Sequence, residues 1–199
     1  MSQPLSTLST LPERAQVSQP APPFQAPAAF PGESIAQPVK TLSLTDYQKR
    51  WLLFFWYPLD FTFVCPTELL ALSDRLAEFE ALDCAVLGAS TDSVYSHRAW
   101  MQTPREANGL AGLAFPLLAD KTLTIARRYG VLLEEQGHSL RGAFLIDPEG
   151  ILQFSTLYAS NIGRSVDELL RTLAALQAGG LCGSDWKPGQ PTLQPGKSS

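Results

Sequence analysis

Hydrophobic positions along the chain form continuous runs in some segments and helical stripes in others. The runs at residues 51–57 and 84–91 are apolar almost throughout, which is typical of strands buried on both faces of a sheet. Asp92 is placed to cap a helix that follows the second run, and Gly130 is placed to end a later one. Apolar residues at helical spacing predict four amphipathic helices, at residues 66–82, 93–102, 121–129 and 165–178.

A turn signal separates two further strand patterns in the last third of the chain. Asp147-Pro148-Glu149-Gly150 places proline at the second turn position, between strand patterns at 142–146 and 151–158, and so predicts a hairpin. The overall order is strand, helix, strand, helix, hairpin and final helix. It predicts an α/β fold of the thioredoxin-like type, with a mixed central β-sheet flanked by helices on both faces.

Proline marks both ends of the chain as poor in regular structure. Eight of the 16 prolines lie in the first forty residues, which argues against a long helix or a central strand there. We expect a flexible N-terminal tail at 1–15, then extended edge structure or loop to about residue 39, within one domain spanning 16–178. Residues 179–199 form a C-terminal segment that is predicted to be loose from residue 188 onwards.

Net charge and hydropathy argue against a nucleic-acid-binding protein, a membrane protein and a secreted protein. The formal net charge is -4, whereas nucleic-acid-binding proteins carry a basic footprint. No apolar run approaches the roughly 20 residues that span a bilayer, so no membrane association is expected. The first residues lack the basic start and apolar core of a secretory signal. The expected location is therefore cytoplasmic, with a short transit peptide as the alternative.

Among the three cysteines, Cys65 has the surroundings of a nucleophile. It follows the first apolar run and precedes Pro66, a residue favoured in a first helical turn, so helix N–H groups face its sulfur. That environment favours the thiolate, which is the reactive form of cysteine. Thr62 brings a hydroxyl beside the sulfur, where it can both donate to and accept from a peroxide. Pro58 has no N–H and can close the pocket without a competing donor.

The spacing of Pro58, Thr62 and Cys65 resembles the signature of the peroxiredoxins, and residues 61–68 (FTFVCPTE) are similar to their typical two-cysteine subfamily. The resemblance extends from about residue 17 to residue 193. It includes Thr91-Asp92-Ser93, Ser96-His97-Arg98-Ala99-Trp100, Pro116-Leu117-Leu118-Ala119-Asp120, Arg141-Gly142, Gly163-Arg164-Ser165-Val166-Asp167-Glu168 and Trp186-Lys187-Pro188-Gly189. This resemblance implies a thiol peroxidase of the alkyl hydroperoxide reductase or thioredoxin peroxidase type, which reduces hydrogen peroxide and organic hydroperoxides.

The resemblance also implies a role for each residue of the site. Cys65 becomes a sulfenic acid, Arg141 holds its thiolate and the peroxide, and Glu68 and Arg164 orient Arg141. Cys182 from the partner subunit resolves the sulfenic acid as a disulfide. The implied partners are a second copy of the chain in a homodimer, a decameric ring, and an external reductant, either thioredoxin or a flavoprotein disulfide reductase. No cofactor and no metal are expected.

Two segments depart from the pattern of relatives that over-oxidise easily. Those relatives carry a Gly-Gly-Leu-Gly loop and a C-terminal helix with Tyr-Phe, whereas this chain has Asn108-Gly109-Leu110-Ala111 and no aromatic residue after Trp186. We therefore predict easy local unfolding around Cys65, fast resolution, and over-oxidation only at high peroxide. The connection Gly179-Gly180-Leu181 before Cys182 is short, and Gly183-Ser184 replaces the more usual Pro-Ala, so the geometry of the resolving segment is open.

Simpler interpretations remain for the same residues. Cys65 could be a core thiol, and Cys182 could be idle, which would leave a one-cysteine mechanism. Cys84 opens the second apolar run and is expected to be a core residue. Surface positions are expected for His97 and His138, and the further alternatives are a surface position for Arg141 and an ordinary ion pair between Glu68 and Arg164.

Two other functions compete with the peroxidase. The first is a chaperone-like holdase or redox sensor, against which the missing Tyr-Phe helix argues. The second is a disulfide oxidoreductase without peroxide chemistry. Such an enzyme needs two cysteines adjacent in one turn, whereas Cys65 and Cys182 lie far apart in sequence.

Overall fold

A computed structural model describes residues 14–196 and contains a seven-stranded mixed sheet with the strand order β2-β1-β5-β4-β3-β8-β9. The strands are β1 Gln25–Ala29, β2 Lys40–Ser43, β3 Trp51–Trp56, β4 Cys84–Ser90, β5 Leu117–Ala119, β6 Leu132–Leu133, β7 His138–Ser139, β8 Arg141–Ile146 and β9 Leu152–Tyr158. Strands β3, β4 and β5 run parallel, β8 and β9 form the predicted antiparallel hairpin, and β6 and β7 form a separate small one.

Within residues 14–196, five α-helices flank the sheet: α1 Val64–Asp74, α2 Leu76–Ala81, α3 Val94–Gln102, α4 Thr124–Arg128 and α5 Val166–Ala178. Buried residues of α1, α2, α3 and α5 pack in one hydrophobic core, and those of α4 pack in a second core. The predicted mixed sheet with helices on both faces is thereby confirmed.

Strand β3 divides its side chains between the two cores. Leu53 and Phe55 belong to the core that contains Cys65, whereas Phe54 and Trp56 belong to the opposite one. This alternation follows from the two-residue period of a strand, and all these residues are buried because helices cover both faces. The continuous apolar run in the sequence is the consequence.

The first predicted helix, at residues 66–82, is interrupted. It starts two residues earlier, at Val64, and breaks at Arg75, whose backbone leaves helical geometry with φ -113° and ψ 16°. The Arg75 guanidinium instead binds Glu78 and Asp167. Apolar spacing continues across the break, so the sequence pattern gives no sign of it.

Two other helix starts were predicted wrongly. Ser93, not Asp92, caps α3 and accepts from the backbone N–H of Ser96, while the Asp92 carboxylate accepts from the backbone N–H of Asp60 at 2.8 Å. Helix α4 begins only at Thr124, because Leu123 adopts a left-handed conformation at φ 61°. Gly130 follows its end at φ 69°, as expected of a helix stop.

The proline-rich N-terminal region contains more of the sheet than predicted. Strand β1 lies between β2 and β5, so it is an inner strand rather than an edge, even though it contains Pro27. The recorded pairs with β5 involve only Ala28 and Ala29, which leaves the proline outside that ladder. Strand β5 itself was not predicted, because its three residues are too few to show a period. Most of the predicted flexible tail, residues 1–13, lies outside the described residues.

The C-terminal segment packs back on α5. The Leu193 N–H donates to the Leu181 carbonyl at 2.7 Å, and Arg171 donates to the Trp186 carbonyl at 3.2 Å. Trp186 is buried. The part predicted to be loose, from residue 188 onwards, is thus anchored at Leu193 by its bond to Leu181. Across residues 14–196, we find no helix that is long and apolar enough to cross a membrane.

Candidate active site

The site begins where β3 ends and a loop turns the chain into α1. Phe61 in this loop has a positive φ of 53°, which forces a sharp change of direction. Cys65 is therefore the second residue of α1, in the first turn, as predicted. The side chain of Phe63, the N-cap residue, makes no capping hydrogen bond, so the free N–H groups of this turn stay near Cys65.

Arg141, the first residue of β8, directly contacts the sulfur. Its Nη1 lies 3.3 Å from Cys65 Sγ and 2.6 Å from Glu68 Oε2. Only 3% of Arg141 is exposed and Cys65 is fully buried, so this contact is shielded from water. The alternative of a surface position for Arg141 is excluded. A guanidinium in this place stabilises negative charge on the sulfur much better than it would in water.

Glu68 connects Arg141 to Arg164. One oxygen of Glu68 accepts from the backbone N–H and the Nε of Arg164, at 2.7 and 2.8 Å, and the other accepts from its Nη2 at 3.1 Å. Glu68 and Arg164 are both buried, which sets them apart from an ordinary surface ion pair. Burial lowers the pKa of Arg164, while the Glu68 carboxylate opposes that shift.

The charges of this buried group do not balance without the sulfur. Two guanidinium groups face one carboxylate, so a single positive charge remains uncompensated among Arg141, Arg164 and Glu68. An uncompensated buried charge is costly, and a thiolate at Cys65 supplies the missing negative charge. The arrangement therefore suits a sulfur nucleophile and a leaving group that develops negative charge.

Pro58 and Thr62 lie in the loop between β3 and α1. Pro58 is buried two residues after the end of β3, and Thr62 is half-buried with its hydroxyl donating to the Leu59 carbonyl at 2.9 Å. Because that hydroxyl already donates, its oxygen is left to accept a hydrogen bond from a bound molecule. Thr62 was predicted to do both, and the structure favours the accepting role.

A second buried polar group supports this loop and was missed in the sequence. His97 was predicted at the surface, but it is fully buried, with Nδ1 2.9 Å from the Asp60 carboxylate and Nε2 3.2 Å from the Leu118 carbonyl. Asp60 also accepts from the Tyr57 hydroxyl. Burial, and then the charge of Asp60, raise the pKa of Tyr57. Nothing in the sequence distinguishes His97 from the half-buried His138, because only the fold places Asp60 against it.

The other two cysteines lie in different environments from Cys65. Cys84 is fully buried in β4, where burial raises the pKa of its thiol to about 12, so it is the core residue predicted. Cys182 is half-exposed, and its Sγ contacts the Ala175 carbonyl of α5 at 3.6 Å. All three cysteines are free thiols, so no disulfide links Cys182 to Cys65 within this chain. The part of the chain that the structure describes holds no cluster of three side chains suited to a metal ion.

Comparisons with known proteins find relatives along most of the chain. The AhpC/TSA family profile matches residues 17–155. A chloroplastic 2-Cys peroxiredoxin of Spinacia oleracea is 50% identical over 184 residues, covering 90% of this chain and 68% of its own length. Human peroxiredoxin-4 is 48% identical over 186 residues, covering 92% and 67%. The crystal structure of reduced Plasmodium vivax 2-Cys peroxiredoxin superposes with a TM-score of 0.84 at 38% identity, covering 90% of this chain and 93% of the other.

Proposed function

This chain belongs to the AhpC/TSA family of peroxiredoxins, which are oxidoreductases with peroxidase activity, and we propose that its reaction runs through Cys65, with Cys182 of the partner subunit as the resolving thiol. The single observation that carries the proposal is the 3.3 Å contact between Arg141 Nη1 and Cys65 Sγ inside a buried group of charges. The substrates are hydrogen peroxide and organic hydroperoxides.

In the first step, the Cys65 thiolate attacks the terminal oxygen of the peroxide. A sulfur–oxygen bond forms as the O–O bond breaks, and the bonding electron pair leaves with the hydroxide or alkoxide, which takes a proton from water. Arg141 is placed to stabilise the charge that moves from the sulfur to the leaving oxygen. Thr62 accepts from the peroxide O–H, and Pro58 limits the pocket. The product at Cys65 is a sulfenic acid.

In the second step, the Cys182 thiol condenses with this sulfenic acid, so that a disulfide forms and water leaves. An external dithiol then reduces the disulfide by exchange. Thioredoxin and a flavoprotein disulfide reductase both fit this role. We place the reaction in the cytoplasm, although one of the relatives is a chloroplastic protein by name.

Resolution requires that the Cys65 sulfur leave its buried position. The first turn of α1 is suited to unwinding, because its N-cap residue Phe63 makes no capping bond and 81% of Phe63 is exposed. Loss of the thiolate charge on oxidation also removes the counterion of the buried guanidinium group. Both features support easy local unfolding, and over-oxidation only at high peroxide stays our prediction.

The proposed homodimer uses the outer edge of the sheet along β9. Within residues 14–196, this edge is bonded only at its start, where Leu152 pairs with Ser18 and Gln19, and further along it carries Leu157, which is 48% exposed. Ile162, in the loop that follows, is 52% exposed. Edge strands with exposed apolar residues pair readily with a second copy, and such an isologous contact gives a twofold dimer. Phe61, 51% exposed beside the active-site loop, is a candidate contact for a decameric ring.

Non-reducing gel electrophoresis after one equivalent of hydrogen peroxide tests the proposal. The wild type and the control Cys84→Ala should form a covalent dimer, whereas Cys65→Ser and Cys182→Ser should not. Cys182→Ser should consume one equivalent of peroxide and stop at a trappable sulfenic acid. A wild type that consumes peroxide but stays monomeric would contradict resolution across subunits, and consumption by Cys65→Ser would contradict the role of Cys65.

A further inference from the structure

An aromatic ring lies against the buried charges without being part of them. Phe55, on the face of β3 that points towards Cys65, has its ring centroid 3.4 Å from the Cζ of Arg164. Phe55 is 1% exposed and Arg164 is 8% exposed. A guanidinium over an aromatic face is attracted by the ring quadrupole, and the attraction is strongest where water is excluded.

The hydrogen bonds of Arg164 use the edges of its guanidinium and leave its face to the ring. Nε and Nη2 donate to Glu68, and Nη1 donates to the Gly142 carbonyl at 2.6 Å. All of these donors lie in the plane of the guanidinium. In-plane bonds fix where Arg164 points, whereas a stacked ring fixes the tilt of the plane. The edges and one face of this side chain are therefore both occupied.

A change in the tilt of Arg164 is transmitted to the sulfur through two residues, Glu68 and Arg141. Glu68 is held mainly by Arg164, which gives it three hydrogen bonds, and its Oε2 in turn accepts from Arg141. Arg141 Nη1 then faces the Cys65 sulfur. A small rotation of the Arg164 plane would displace the carboxylate and, with it, the guanidinium that contacts the sulfur.

We propose that Phe55 is a positioning residue for peroxide reduction, since its ring fixes Arg164 and, through Glu68, holds Arg141 against Cys65. The inference rests on the proposed function of Cys65. In this role Phe55 acts through Arg164 and not on the peroxide or the sulfur itself. Its neighbour Phe54 offers a matched control, because it is fully buried in the same strand but belongs to the opposite core.

The test compares Phe55→Leu with Phe54→Leu in the full-length reduced protein. Phe55→Leu is expected to lower the rate of sulfenic acid formation about three- to tenfold, a part of what a desolvated cation–π contact contributes, because the ring acts on the sulfur only through Arg164, Glu68 and Arg141. It should also raise the pH of half-maximal Cys65 alkylation by iodoacetamide. Phe54→Leu should leave both measurements unchanged while lowering the thermal unfolding midpoint to a similar extent. Phe55→Tyr, which keeps the ring face, should restore the pH profile.

Equal rates and equal pH profiles for Phe55→Leu and Phe54→Leu would overturn the inference, and so would a Phe55→Tyr variant that behaves like Phe55→Leu. If Phe55→Leu does not fold, Phe55→Met fills more of the same volume without a ring and carries the same expectation. Failure of the proposed function itself would look different. In that case Cys65→Ser would keep the peroxide reaction of the wild type.

Discussion

Cys65 and Cys84 are both fully buried thiols next to opposite ends of the same strand, and only one of them has a charged partner. Cys65 follows the end of β3 and lies 3.3 Å from Arg141 Nη1. Cys84 pairs in register with Trp51 at the start of β3, and its S–H donates to the Ala85 carbonyl at 3.4 Å. Burial is the largest influence on Cys84 and raises the pKa of its thiol to about 12, which makes it inert.

The difference shows what a buried thiol needs before it can react. Removal from water disfavours the thiolate, and a nearby charge of opposite sign favours it. At Cys84 the first effect is the larger one. At Cys65 a net positive group is buried with the sulfur, so in the proposed reaction a thiolate there has a counterion in a site from which water is excluded. If Cys65 is the reactive cysteine, as we propose, exposure is a poor guide to it.

The largest expected effect is the difference between removing one thiol and removing the other. Cys65→Ser should abolish peroxide reduction, because no other described side chain has this environment. Cys84→Ala should keep the wild-type rate and lower the free energy of unfolding by roughly 1 kcal/mol, as for a small buried apolar group. Steady-state peroxide consumption and urea unfolding measure the two quantities. A loss of activity in Cys84→Ala at unchanged stability would contradict the comparison.

The rate of alkylation should distinguish Cys65 from Cys84 almost as strongly as the two substitutions do. At pH 8, a pKa of about 12 leaves about one in 10,000 Cys84 side chains ionised, and the folded core must open as well. Iodoacetamide should therefore modify Cys65 long before Cys84, which should react only in denaturant. Peptide mass spectrometry over time measures both sites in one sample. Modification of Cys84 at the rate of Cys65 in the folded protein would break the comparison.

Removing the guanidinium should have a large but incomplete effect. Arg141→Met should slow sulfenic acid formation by about 100- to 1000-fold, the usual loss when one charge-stabilising donor is removed. Arg98→Met is the matched control, because Arg98 is also fully buried but binds Glu33 and loop carbonyls instead of the sulfur. The control should cost stability, and its folded fraction should react at the wild-type rate. Stopped-flow measurement on both variants decides the point.

The smallest expected effect is the pH dependence of stability that Cys84 contributes. Its pKa is raised in the folded protein from an ordinary value of 9.0 to about 12, so its contribution is complete below pH 9 and is lost as the pH rises towards 12. Above pH 9, the unfolded chain releases a proton that the folded chain keeps. Urea unfolding between pH 8 and pH 10.5 should show a shallower decline for Cys84→Ala than for the wild type. Parallel curves would contradict the raised pKa.

The sequence predicts the parts of this molecule that have a local cause. Strand β3, the hairpin of β8 and β9, and Cys65 in the first turn of α1 all follow from apolar runs, a turn tetrapeptide and a proline. The break at Arg75 and the late start of α4 after Leu123 do not, because the helical spacing of apolar residues in both segments gives no sign of them. Strand β5 has three residues, which are too few to show a period, and only its pairing with the neighbouring strands defines it.

The residues of the site also divide into those that the sequence predicted and those that it did not. The resemblance supplied Arg141, Glu68 and Arg164, and the structure places all three in one buried group with Cys65. Burial of His97 was missed, because its partner Asp60 is distant in sequence and becomes a neighbour only in the folded chain. The contact between Phe55 and Arg164 was missed for the same reason.

The most direct test of the central claim is to locate the oxygen after a single turnover. Reduced Cys182→Ser protein would be treated with one equivalent of hydrogen peroxide and with dimedone, which traps sulfenic acids, and its peptides would be analysed by mass spectrometry. The account predicts a dimedone adduct on Cys65 in nearly all chains and none on Cys84. An adduct on Cys84, or peroxide consumed with neither cysteine modified, would contradict it.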